Sequence, residues 1–127
     1  MKIEIKSIPA SEFRIRGGVG DYWYEEDGTL QIRVLETGNQ DYAKLIAVHE
    51  FIEEWLTKRR GLSEPDIQAF DEKWFVEDHA AHEEPGFDPR APYLQEHTVA
   101  DAIERLLCAF CGIPLAEYEQ AIEKALG

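Results

Sequence analysis

Residues 41–60, Asp-Tyr-Ala-Lys-Leu-Ile-Ala-Val-His-Glu-Phe-Ile-Glu-Glu-Trp-Leu-Thr-Lys-Arg-Arg, mark the point where the apolar period of the chain changes from two to about 3.6. An acidic start at Asp41 and a basic finish at Lys58, Arg59 and Arg60 suit the two ends of a helix dipole, and Gly61 supplies the stop. One helix over 41–60 is expected. At about 100° per residue, Leu45, Ile52 and Leu56 share a stripe flanked by Val48 and Trp55, which is expected to be buried. His49 falls on its margin, Glu53 one step further round, and Glu54 on the opposite side.

Toward the N-terminus the period is two. Ile3, Ile5 and Ile8 alternate with polar residues, and Phe13 and Ile15 alternate with Arg14 and Arg16 before Gly17-Gly18. Tyr22-Trp23-Tyr24, read as core, and Leu30-Gln31-Ile32-Arg33-Val34 form two further strands, with Asp27-Gly28 as the hairpin signal between them. An antiparallel sheet of three or four strands is expected within 1–38. Toward the C-terminus, Ser63 caps a second helix running to about 82. Pro85, Gly86, Asp88, Pro89 and Pro92 define a shaped loop over 83–92. A third helix is expected over 91–111, stopped by Gly112 and Pro114, and a fourth over 115–126. The fold class is therefore α+β: one domain over 1–127, its first 38 residues mainly β and 39–127 mainly α, with the sheet packed on about four helices.

The chain has 127 residues, 44% of them apolar, which is enough for one packed core. Its net charge of −13 disfavours nucleic acid as a ligand. The first six residues alternate charged and apolar side chains instead of forming a signal-peptide core, so a cytoplasmic location is expected. No run approaches the roughly 18 apolar residues that a membrane span needs. Cys108 and Cys111 lie near a helix end with no second pair, and read as small packing residues.

His49 and Glu53, at i and i+4, project side by side from successive turns and can close on one cation. Glu50 can act as a base on a metal-activated water. The third helix offers a further ligand. Its expected apolar stripe, Val99, Ile103, Leu107 and Phe110, encloses Glu96, while Tyr93 and His97 lie at the edge. An ionised carboxylate facing a core is costly unless paired or bound to metal, so Glu96 is expected to be a ligand or to support one. Asp71 and Tyr93 are expected to orient the ligands from behind. Asp78, His79 and His82 read more simply as a solvated helix end, and Cys108 and Cys111 lie too far along the third helix to join His97.

The run from Leu45 to Glu53, placed after a hairpin, resembles the active-site helix of zincin-like metallopeptidases. The resemblance implies His49 as first ligand, Glu50 as base, and Glu53 where those enzymes carry their second histidine. The pentad together with Pro85-Gly86-Phe87-Asp88-Pro89-Arg90-Ala91-Pro92-Tyr93-Leu94-Gln95-Glu96-His97 is also similar to a small uncharacterised family of phage and prophage proteins. That family pairs a His-Glu-x-x-Glu helix with a Pro-Tyr-x-x-Glu-His segment. The expectation is a protein binding zinc or another divalent metal, as a zincin-like hydrolase or a degenerate relative. His49, Glu53 and His97 would be its ligands. Two rivals stand beside it: a non-catalytic acidic interaction protein, such as a phage-type inhibitor or DNA mimic, and a magnesium-dependent nucleotide-phosphate hydrolase.

Overall fold

The sheet closes at the Asp27-Gly28 turn. Gly28 has φ +88°, in the left-handed region that glycine enters without penalty, and Asp27 Oδ1 accepts from the Thr29 amide at 3.0 Å. The turn joins β2 (Gly20–Tyr24) to β3 (Leu30–Leu35), which pair antiparallel with Tyr22 opposite Ile32. The computed structural model describes residues 1–15, 17–80 and 83–127. Among these, the sheet has three strands in the order β1-β3-β2, with β1 spanning Ile3–Ile8.

The α+β class is as expected, but the sheet is mixed. β1 pairs parallel to β3, with Ile3 opposite Leu30 and Ile8 opposite Leu35. The alternation in β1 does mark a strand, but alternation carries no information about direction. Residues 13–15 do not form the further strand that their alternation suggests. They follow a 3-10 turn at Ala10–Glu12 and form bends, and Arg16 lies outside the described residues. Arg14 there binds Asp21 in bidentate fashion at 2.7 and 2.9 Å and Glu64 at 2.9 Å, and it stacks over Trp23. Trp23 is half-buried on that side, while Tyr22 is core as expected.

The helices are α1 (Gln40–Arg59), α2 (Glu64–Phe75), α3 (Leu94–Phe110) and α4 (Leu115–Leu126). Asn39 caps α1 and Ser63 caps α2, each side chain accepting from backbone amides of the first turn. α2 stops well before 82, where His79 stacks on Trp74 at 3.8 Å between centroids; His82 lies outside the described residues. Pro92 precedes α3 and does not occupy its first turn.

The buried stripes are rotated from those expected. On α1 the buried residues are Leu45, Ile46, Ala47, His49, Glu53, Glu54 and Thr57, while Trp55 is 56% exposed. On α3 they are Glu96, His97, Ala100 and Cys108, with Val99 and Phe110 exposed. Both helices carry apolar residues around much of their circumference, so hydropathy alone cannot orient them. Thr57, turned inward, is satisfied: its Oγ1 donates to the Glu53 carbonyl at 2.6 Å and accepts from Tyr22 Oη at 3.0 Å. α1 thereby spans β2 and β3 on one side and α3 on the other.

The central strand holds the core, with Leu30, Ile32, Val34 and Leu35 sealed from solvent. Truncating Ile32 to alanine is expected to lower unfolding free energy by about 2–5 kcal/mol in urea titrations. The same change at exposed Leu106 should stay within about 0.5 kcal/mol.

Candidate metal centre

Rotation of both helices turns their histidines toward each other. His49 and Glu53 come from successive turns of α1, and His97 from the first turn of α3, where the loop ending at Tyr93 delivers it. Three atoms converge. Glu53 Oε2 lies 2.6 Å from His49 Nε2 and 2.5 Å from His97 Nδ1, and the two nitrogens are 3.2 Å apart. All three side chains are buried, and among the described residues no other trio of ligand-type side chains converges in this way. Each edge of the triangle is shorter than two zinc bonds of about 2.0–2.2 Å laid end to end, so one ion set to the side of the triangle reaches all three donors. The group can hold a metal ion.

The other ring nitrogen of His49 is anchored as well. Nδ1 bonds to Glu104 Oε1 at 2.6 Å, and Tyr118 Oη on α4 donates to Glu104 Oε2 at 2.5 Å. A carboxylate behind a histidine fixes its tautomer and raises its basicity toward a ligand on the far nitrogen. Glu104 and Tyr118 escaped sequence reasoning. The available signal was that Glu104 follows His97 by two helical turns and so shares its face.

His97 is boxed differently. The rings of Phe87 and Tyr93 pack edge-on at centroid distances of 4.5 and 6.1 Å. Nε2 is buried without a hydrogen bond; Glu84 Oε1 is 3.3 Å away, close enough for charge attraction but outside hydrogen-bond geometry. Gly86 lies directly on the ring, where a Cβ would fall 2.2 Å from Cγ. Gly20 on β2 does the same for Glu50: a Cβ there would sit 2.2 Å from its carboxylate oxygen. Both glycines are demanded by close approach alone, since neither has positive φ.

Burial opposes charge at His49, but hydrogen bonds to Glu104 and Glu53 outweigh it and lift its pKa to about 11. At His97 burial is likewise overridden, by Glu53 and then Glu84, to about 9. Glu53 is the counterpart: burial would raise its pKa, yet the two imidazoles hold it well below the usual carboxylate range. Glu50 moves the other way, pushed well up by burial and then by the charge of Glu53.

The remaining expected site residues lie close by but do not join the three donors. Glu96 faces Arg60, which binds it through Nε and Nη2 at 2.7 Å each and also donates to the Pro92 carbonyl at 2.6 Å. That ion pair answers the burial cost from which a metal role was inferred, and it locks the end of α1 to the start of α3. Asp71 does not touch a histidine; it accepts from Tyr93 Oη at 2.5 Å, so that Tyr93 is held against the His97 ring. Burial raises the Asp71 pKa to about 7. Glu50 borders the donors without being one of them. Cys108 is buried and Cys111 exposed, both free thiols.

Compared with family models, with curated proteins and with solved structures, the chain matches none. The site therefore stands on its geometry. Gly86→Ala should destabilise the fold by about 1–3 kcal/mol through overpacking against His97. Adding it to His97→Ala should cost much less, a non-additivity read from a double-mutant cycle in denaturant.

Proposed function

We propose that the chain is a metal-binding protein of zinc type, with His49 Nε2, Glu53 Oε2 and His97 Nδ1 as donors and Glu50 as the base of a hydrolytic reaction. The observation that carries this reading is the convergence of two imidazole nitrogens on one buried carboxylate oxygen. With both nitrogens protonated, two positive rings meet at 3.2 Å, and the charge of His49 works against that of His97. A divalent ion would be held by the lone pairs of all three donors, in place of the two protons.

Two imidazoles and one carboxylate suit zinc and related transition metals, and match the two-histidine, one-glutamate sets of catalytic zinc. Magnesium prefers oxygen donors throughout, which leaves both histidines without a purpose. When bound, such an ion supplies Lewis-acid polarisation of a substrate oxygen and makes a nearby water more acidic. The chain's own groups do the rest. Glu104 keeps His49 in the tautomer that presents Nε2, Glu53 neutralises charge between the rings, and Glu50 can take and hold a proton. The zincin-like resemblance lends the same roles to His49 and Glu50.

Protein purified without chelators is expected to carry about one equivalent of zinc, and zinc added to stripped protein should raise the melting temperature. His97→Ala should abolish both effects, whereas Glu96→Gln, which keeps the helix-end contact as a neutral amide, should retain the metal. Absence of metal together with an unchanged melting temperature would refute the reading. Glu50→Gln should keep the zinc and lose hydrolytic turnover.

Affinity should also depend on pH in a defined direction. Because both imidazoles are held above ordinary histidine, at about 11 and about 9, they carry protons at neutral pH that zinc must displace. Affinity is therefore expected to keep rising between pH 6.5 and 8.5, where ordinary histidines (pKa about 6.5) would level off. Calorimetry in buffers of different ionisation enthalpy counts the protons released.

A further inference from the structure

β1 ends the sheet, and one side of it is unpaired among the described residues. The Lys2 carbonyl accepts from the Leu30 amide and the Ile8 carbonyl from the Glu36 amide, so the even-numbered residues of this stretch turn their backbone groups toward β3. In a parallel ladder the alternate residues face the other way. Ile3, Ile5 and Ser7 therefore direct their amides and carbonyls off the edge. Pro9 comes only after the strand, and α1 packs mainly on β2 and β3. Ile3 and Ile5 share the face of Leu30 and Ile32, yet they are 36% and 55% exposed where those residues are sealed. Nearby, Met1, Phe51 and Trp55 line a cavity of about 350 Å³. An open strand edge bordered by apolar side chains is a pairing surface.

We propose that the partner on this edge is a second copy of the chain, paired antiparallel along β1 about a two-fold axis through Ile5. Ile5 then lies opposite Ile5 of the second copy, Ile3 opposite Ser7, and Glu4 opposite Lys6. The register follows from two constraints. Residues whose backbone groups face outward must oppose one another to exchange hydrogen bonds, which admits axes through each residue from Ile3 to Ser7; the axis through Lys6 sets lysine against lysine and the one through Ser7 leaves Ile3 unpaired. An axis through Glu4 sets Glu4 against Glu4 and Lys2 against Lys6, with like charges at each position. An axis through Ile3 leaves Ser7 unpaired and shortens the ladder. Only the axis through Ile5 uses the whole stretch from Ile3 to Ser7 and places two opposite-charge pairs, Glu4 with Lys6 and its symmetry mate, on the outer face.

The two sheets become one of six strands, with Ile3 and Ile5 of both copies meeting on the helix side. The overall charge of −13 opposes self-association in general, but Glu4 and Lys6 of β1, with Lys2 just before it, leave this edge locally free of negative excess.

Sedimentation equilibrium of the wild-type chain over a concentration series is expected to yield a dimer of twice 14.6 kDa. Glu4→Lys and Lys6→Glu each place like charges opposite one another twice, and each should weaken the dimer by roughly tenfold. Lys6 is exposed, so its variant tests pairing with the fold intact, as circular dichroism will verify. Mixed in equal amounts, the two variants should recover the wild-type mass, because the lysines of one then face the glutamates of the other. A monomeric wild type, single variants that dimerise as it does, or a mixture that fails to recover would each overturn the proposal.

Discussion

A single carboxylate oxygen, Oε2 of Glu53, sits between two imidazoles from different helices, and the arrangement of α1 against α3 is organised around it. Taking this oxygen out of water is unfavourable on its own. It is tolerable because two basic nitrogens meet it within hydrogen-bond distance, and because the nitrogens are themselves backed by other groups. Glu104 and Tyr118 stand behind His49, and Phe87, Tyr93 and Gly86 enclose His97. The polar cluster thus takes the place that a hydrophobic seam would occupy between two helices, and it specifies their rotation more narrowly than apolar packing would.

That rotation separates what the sequence could reveal from what it could not. The elements were legible: the hairpin at Asp27-Gly28, the cap at Ser63, the break at Gly112 and the last helix all follow from local chemistry that acts within a few residues. Convergence of His49, Glu53 and His97 was also legible, from the i and i+4 spacing and from the shaped loop before His97. The direction of β1 was not, since a strand's alternation is the same whichever way its neighbour runs. Nor was the inward face of α3, where Val99 and Phe110 promised burial and received solvent.

Glu96 is instructive because the premise about it was sound. Its carboxylate is buried and does need a partner, but the partner is Arg60, which in sequence marks only the basic end of a helix. A guanidinium and a metal ion answer the same electrostatic need, and spacing along the chain cannot tell them apart when the two partners are 36 positions distant. Tyr93 and Asp71 act in series: Asp71 holds Tyr93, and Tyr93 packs on His97.

Gly20 and Gly86 lie 66 residues apart and share no element, yet each is confined to a single hydrogen by a site residue pressed against its backbone. Their consequence concerns how such a centre can be recognised elsewhere. A His-Glu-x-x-Glu helix by itself is common in acidic chains, whereas the same helix preceded by a strand glycine and followed by a loop glycine eleven positions before a histidine describes a volume as well as a set of donors. A pattern written from the empty spaces, and not from the ligands alone, would select chains in which this cluster can physically assemble.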